Sequence, residues 1–193
     1  HSRGKSTGGS ALFAIALHRN PDSGKRLYSL ANETDGDLSE EAIIWLGESR
    51  GQQGFELLKK LLAELPRGER RREINFALSQ NKTSGAAELL FEISISVPDP
   101  EQRGEAMFWL AQAYPQKAKG WLLEVIDNEM KEDVLEQAVF AVSQLPDGMG
   151  DQALLELAQN DQAPRVVRRQ AIFWLAHSDN DSSVAALTEL LTR

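Results

Sequence analysis

The chain has 193 residues, 41% of them hydrophobic and 26% charged, and a net charge of −8. That length can bury a sizeable core in one domain or slightly more, and the acidic balance argues against a general nucleic-acid binder while mildly favouring basic or neutral partners. With no cysteine, disulfides and thiolate metal sites are excluded, though the compartment stays open. No apolar run approaches the roughly 18 residues of a membrane helix, and nothing reads as a signal peptide. Because it begins with His1 rather than Met, the chain reads as a processed or excised piece.

Residues 1–10 (HSRGKSTGGS) are small, polar and glycine-rich, which predicts a linker. The run Gly4-Lys5-Ser6-Thr7 matches the end of a phosphate-binding loop. Such a loop needs a preceding strand, an earlier glycine and a helix opening at the lysine. The chain starts too late for the first two, and Gly8-Gly9 interrupts the third.

From residue 11 onward one six-residue motif recurs: ALFAIA at Ala11, AIIWLG at Ala42, INFALS at Ile74, AMFWLA at Ala106, AVFAVS at Ala138 and AIFWLA at Ala171. The starts are 31, 32, 32, 32 and 33 residues apart. A fixed period near thirty predicts an array of helical hairpins. Each motif supplies an apolar stripe at i, i+3 and i+4, as in Ala106, Trp109 and Leu110. Its neighbours Met107, Phe108 and Ala111 widen the stripe over most of the helix, which predicts a sandwiched first helix. A turn rich in Asn, Asp, Pro or Gly follows, as at Pro146-Asp147-Gly148. Then comes a second helix with paired apolar residues, such as Leu57-Leu58 with Leu61-Leu62, or Leu122-Leu123 with Val125-Ile126. Two such helices cannot enclose a core alone, but stacked hairpins can. The expectation is all-α: six hairpins in the windows 11–35, 36–66, 67–97, 98–130, 131–162 and 163–193.

These residues resemble the HEAT-repeat family, in particular its short bacterial type, similar to the HEAT-like repeats of phycobilisome lyases. The carriers are the V-R-x-x-A start at Val167-Arg168-Arg169-Gln170-Ala171, Arg103 before Ala106, Arg71 before Ile74, and the AIFWLAHSDN turn. The resemblance spans 11–193 and implies an α-solenoid in a right-handed superhelix. It implies a scaffold rather than an enzyme, because function is grafted onto such folds. The arginine position is broken by Ser39 in the second repeat and Leu135 in the fifth.

The fourth motif position runs Ala14, Trp45, Ala77, Trp109, Ala141, Trp174. Because facing volumes must sum to fill a gap, the alternation predicts a Trp of one hairpin interlocking with an Ala of the next. A ligand groove lined by the three Trp is the competing reading.

Little in the chain suggests catalysis. His1, His18 and His177 have no second histidine at ligand spacing, and no HExxH, GxSxG or GxGxxG is present. No metal, cofactor or catalytic residue is therefore expected. The basic run at 67–72 (Arg67, Arg70, Arg71, Arg72) offers a phosphate or nucleic-acid contact, weakened by the overall acidity and by Arg71 falling at the family's structural position.

The second helices are expected to line the inner surface, with Ser29, Lys59, Phe91, Glu124, Glu156 and Glu189 in the outward slot. One turn earlier come Arg26, Glu56, Glu88, Trp121, Ala153 and Ala186. Phe91 and Trp121 are aromatics in solvent slots, surrounded by Glu88, Glu92 and Glu124, the composition of an interface anchor with an acidic rim. The predicted protein-binding set is thus Lys59, Glu88, Phe91, Glu92, Trp121, Glu124 and Glu156, taking a basic or amphipathic segment of another protein; the competing reading folds Trp121 back over the hairpin edge. A lyase-like enzyme or a nucleic-acid binder is the alternative. At the ends, Leu12, Phe13 and Ile15, and Val184, Leu187, Leu190 and Leu191, lack the polar outer face of a capping repeat. Flanking repeats or end-to-end self-contact are expected.

Overall fold

The computed structural model describes residues 2–18, 20–33, 36–64, 70–178, 180 and 187. Its regular structure is entirely α-helical among them: α1 (Ser2–Leu17), α2 (Pro21–Glu33), α3 (Asp37–Ser49), α4 (Gly51–Glu64), α5 (Arg71–Gln80), α6 (Ser84–Ser96), α7 (Pro100–Ala113), α8 (Pro115–Asn128), α9 (Glu132–Ser143), α10 (Met149–Gln159) and α11 (Arg165–Ala176). No helix is long and apolar enough to cross a membrane among the described residues. The chain divides into two compact units, His1–Leu90 and Phe91–Arg193, with the division inside α6.

In the first unit α3 packs on both α1 and α5, while α2 packs on α3 and α4. The second unit has the same layout: α9 packs on α7 and α11, and α8 packs on α9 and α10. Motif helices thus form one row in each unit and their partner helices a second. The motif explains why. Its first position is buried at Ala42, Ile74, Ala106, Ala138 and Ala171, and its fifth at Leu46, Leu78, Leu110, Val142 and Leu175. One stripe therefore meets the partner row, where apolar burial supplies the main stabilising term.

The start of α7 is capped by a side chain. Asp99 accepts a hydrogen bond from the Glu101 N–H at 2.9 Å and Pro100 opens α7, a position where a missing N–H costs nothing. Between α3 and α4, the Asn81 amide donates to the carbonyls of Gly47 and Gly51 at 3.3 and 2.9 Å, fastening the bend. Gly47 itself is a point of closest approach, since a β-carbon there would overlap the Ala77 carbonyl on α5.

Several expectations need correcting. The segment 1–10 is helical from Ser2, as the start of α1, rather than a linker. Once 11–16 are docked on α3, extending the helix backwards costs little, because nucleation is already complete. Trp45, Trp109 and Trp174 are half-buried: Trp45 meets Phe13 edge-on at 5.5 Å, Trp109 meets its own neighbour Phe108 at 5.0 Å, and Trp174 meets Phe140 at 5.0 Å. Aromatic edges and faces attract, and Trp45 and Trp174 each meet a third-position phenylalanine of the preceding motif helix. Nor is the motif helix sandwiched all round, because Ile44, Phe76, Phe108 and Phe140 keep part of their surface in solvent. The predicted second-helix residues Val184, Leu190 and Leu191 lie outside the described residues.

One buried group stands out as costly. Asn75 on α5 is fully buried, and both atoms of its amide lack a hydrogen-bond partner. The same motif position carries Leu12, Ile43, Met107 and Val139 elsewhere, all buried. An unmet buried amide costs about 1–3 kcal/mol, so Asn75→Leu should raise stability by a similar amount. A urea-denaturation midpoint unchanged or lowered would contradict that reading.

Candidate functional site

In the second unit, Phe91 projects from the C-terminal half of α6 and Trp121 from the middle of α8. Their rings stack at 4.8 Å between centroids with planes 15° apart, and both are half-buried. The Lys117 ammonium lies 5.7 Å from the Trp121 ring centroid, within cation–π range. Beside the stack opens a cleft of ≈ 340 Å³ lined by Phe91, Ile95, Arg103, Glu124, Asn128 and Glu129 among others. Ile95 is half exposed, one helical turn beyond Phe91 on the same face.

Arg103 and Glu129 belong to this wall and are largely buried. Arg103 Nη1 meets Glu129 Oε2 at 2.6 Å, and its Nε donates to the Ser94 carbonyl at 2.6 Å. The other oxygen of Glu129 accepts from the backbone N–H groups of Met130 and Lys131 at 2.8 and 3.0 Å. Burial alone would raise the Glu129 pKa. The two N–H bonds, the Arg103 hydrogen bond and its charge outweigh it, and the net shift is downward. Glu129 is therefore held ionised with both oxygens engaged, so it is no proton donor near neutral pH. What the cleft offers a ligand is an apolar ledge made by Phe91 and Ile95, with Trp121 stacked on Phe91 and Glu124 exposed at its edge.

The predicted binding residues separate between the units. Phe91, Glu92, Trp121, Glu124 and Glu156 lie in the second, where Glu92, Glu124 and Glu156 are exposed. Lys59 and Glu88 lie in the first unit, both exposed. Ala153, expected in an outward slot, is fully buried, which fits a small residue where α10 approaches α8. Sequence reasoning missed Ile95, Asn128 and Glu129. Ile95 carried a usable signal in its i+4 spacing from Phe91. Glu129 did not, because its partner is 26 residues away and sits in a different helix.

The basic run looks different in the fold. Arg70 Nη1 donates to the Ala31 carbonyl, Arg71 is half-buried and Arg72 exposed, while Arg67 lies outside the described residues. At two of the motif's arginine positions the side chain serves the preceding helix end: Arg103 Nε donates to the Ser94 carbonyl, and Ser39 Oγ donates to the Ala31 carbonyl at 3.0 Å. Leu135 is simply buried there, and Arg168 reaches Asp161 at 3.4 Å. His18 Nδ1 accepts from the Asn20 N–H, and His177 Nδ1 lies 2.8 Å from the Phe173 carbonyl. Among the described residues no group of three or more His, Asp or Glu could hold a metal ion. In comparisons with known proteins, no family model matches this chain and no characterised sequence matches it significantly.

Proposed function

We propose that the chain is an α-solenoid of HEAT-like hairpins that works as a non-enzymatic scaffold, holding a basic, amphipathic segment of another protein. The observation that carries this reading is the Phe91–Trp121 stack, half exposed beside a cleft whose free rim is acidic. Partly exposed aromatics that brace each other present contact area at little entropic cost, and such residues dominate interface energetics. Glu92, Glu124 and Glu156 supply the complementary charge for lysine or arginine, favouring fast and salt-sensitive association. Three residues at helical spacing on the partner would meet this ledge in the manner of a helix in a groove.

The test uses a lysine-rich amphipathic peptide and its glutamate-substituted counterpart, titrated into isotopically labelled protein. The basic peptide should perturb amides around Phe91, Ile95 and Trp121. Its affinity should fall about tenfold or more in Phe91→Ala/Trp121→Ala, and it should weaken with added salt. Perturbations centred elsewhere, or equal binding of both peptides, would sink the proposal.

A further inference from the structure

The cleft beside Phe91 has two walls of different chemistry. On α6, Phe91 and Ile95 stand one turn apart and are apolar. On α8, Glu124 and Asn128 also stand one turn apart, and both are exposed. Asn128 Nδ2 donates to the Glu124 carbonyl at 2.7 Å, which turns the amide oxygen away from that carbonyl and leaves it to accept. Among the described residues, no cation pairs with the Glu124 carboxylate. The α8 wall is therefore rich in acceptors.

The other charges of the lining cancel. Arg103 engages the Ser94 carbonyl through Nε and Glu129 through Nη1, and Glu129 is held by that guanidinium and two backbone N–H groups. Glu124 is thus the uncompensated charge of the cleft. The aromatic wall suits a cation too, because a ring face attracts one. The chain itself places Lys117 Nζ 5.7 Å from the Trp121 centroid, whereas the ring that the cleft reaches is Phe91. At ≈ 340 Å³ the space lies near the lower end of the roughly 300–1,000 Å³ usual for ligand sites, room for one long side chain rather than a length of backbone.

We infer that this cleft takes a single arginine side chain of the partner segment, its stem along Ile95 and Phe91 and its guanidinium on Glu124 and the Asn128 amide oxygen. The inference rests on the reading of the Phe91–Trp121 ledge as a docking site for another protein. Arginine answers both walls at once. Its planar head lies flat against an aromatic ring, forks onto a carboxylate through two N–H groups and keeps donors for a second acceptor. It is also less strongly hydrated than an ammonium, so it enters a half-apolar cleft at lower cost. Lysine brings only a point charge, and a neutral side chain of the same shape would meet Phe91 and Ile95 but leave Glu124 unanswered.

Three forms of a lysine-rich amphipathic peptide, differing only in whether one central residue is arginine, lysine or citrulline, separate these cases when titrated into isotopically labelled protein. Citrulline keeps the shape of arginine without its charge. The arginine form should bind about tenfold more tightly than either other form and should shift the Asn128 side-chain amide together with Phe91 and Ile95. Glu124→Gln, at an exposed position, should bring the three forms to within about twofold of one another. Equal affinity of all three for the parent, or an arginine preference that survives Glu124→Gln, would overturn this inference and leave the scaffold reading standing. If none of the three shifts these residues, the scaffold reading fails first and takes this inference with it.

Discussion

Arg103→Ala is expected to lower stability by about 3–5 kcal/mol, because it strands the buried carboxylate of Glu129 and frees the Ser94 carbonyl. The loss should depend on pH in a specified direction. The Glu129 pKa is depressed in the fold, so its contribution is complete above the ordinary value of 4.5 and is lost as pH falls through the lower folded value. In the variant the guanidinium no longer opposes burial, and protonating Glu129 relieves the stranded charge. The gap between parent and variant, measured by urea denaturation, should therefore be widest near neutral pH and narrow toward acid. A gap independent of pH would show that lost packing alone explains it. Arg103→Met/Glu129→Leu, which removes both charges, should recover much of the loss.

Gly47→Ala should also be strongly destabilising, at or above the upper end of the roughly 1–3 kcal/mol typical of overpacking. Alanine normally gains about 1 kcal/mol over glycine inside a helix. At Gly47 the added methyl would run into the backbone carbonyl of Ala77, which cannot swing aside as a flexible side chain can. The contrast lies at Gly120 on α8, which is exposed and has nothing near the place a β-carbon would take. Gly120→Ala should stabilise by about 0.5–1 kcal/mol. Equal effects at the two sites, read from thermal melts, would remove close α3–α5 packing as the cause.

The residues that repeat were legible before any coordinates. An apolar stripe recurs at fixed spacing, and Leu46, Leu78, Leu110 and Leu175 all sit buried where that stripe places them. What escaped depended on geometry between hairpins. Trp45 and Trp174 meet phenylalanines of the preceding motif helix, contacts that volume alternation along the sequence does not state. Phe91 and Trp121 could be singled out as aromatics in polar slots. That they stack on each other depends on the approach of α6 to α8, which no local pattern states. Asn75 shows a different limit: a polar residue at an apolar motif position looks like a loosened repeat, yet it is fully buried.

Ser39 and Arg103 stand at the same motif position and perform one duty with different chemistry. A hydroxyl in one pair and a guanidinium in another satisfy the same kind of orphaned helix-end oxygen, at Ala31 and at Ser94. The same slot thus answers a helix-end carbonyl with two different donors, and at Ala31 Arg70 adds a second. Comparing repeats by residue type alone would score these two as unrelated, whereas aligning them by which carbonyl is answered would place them in register.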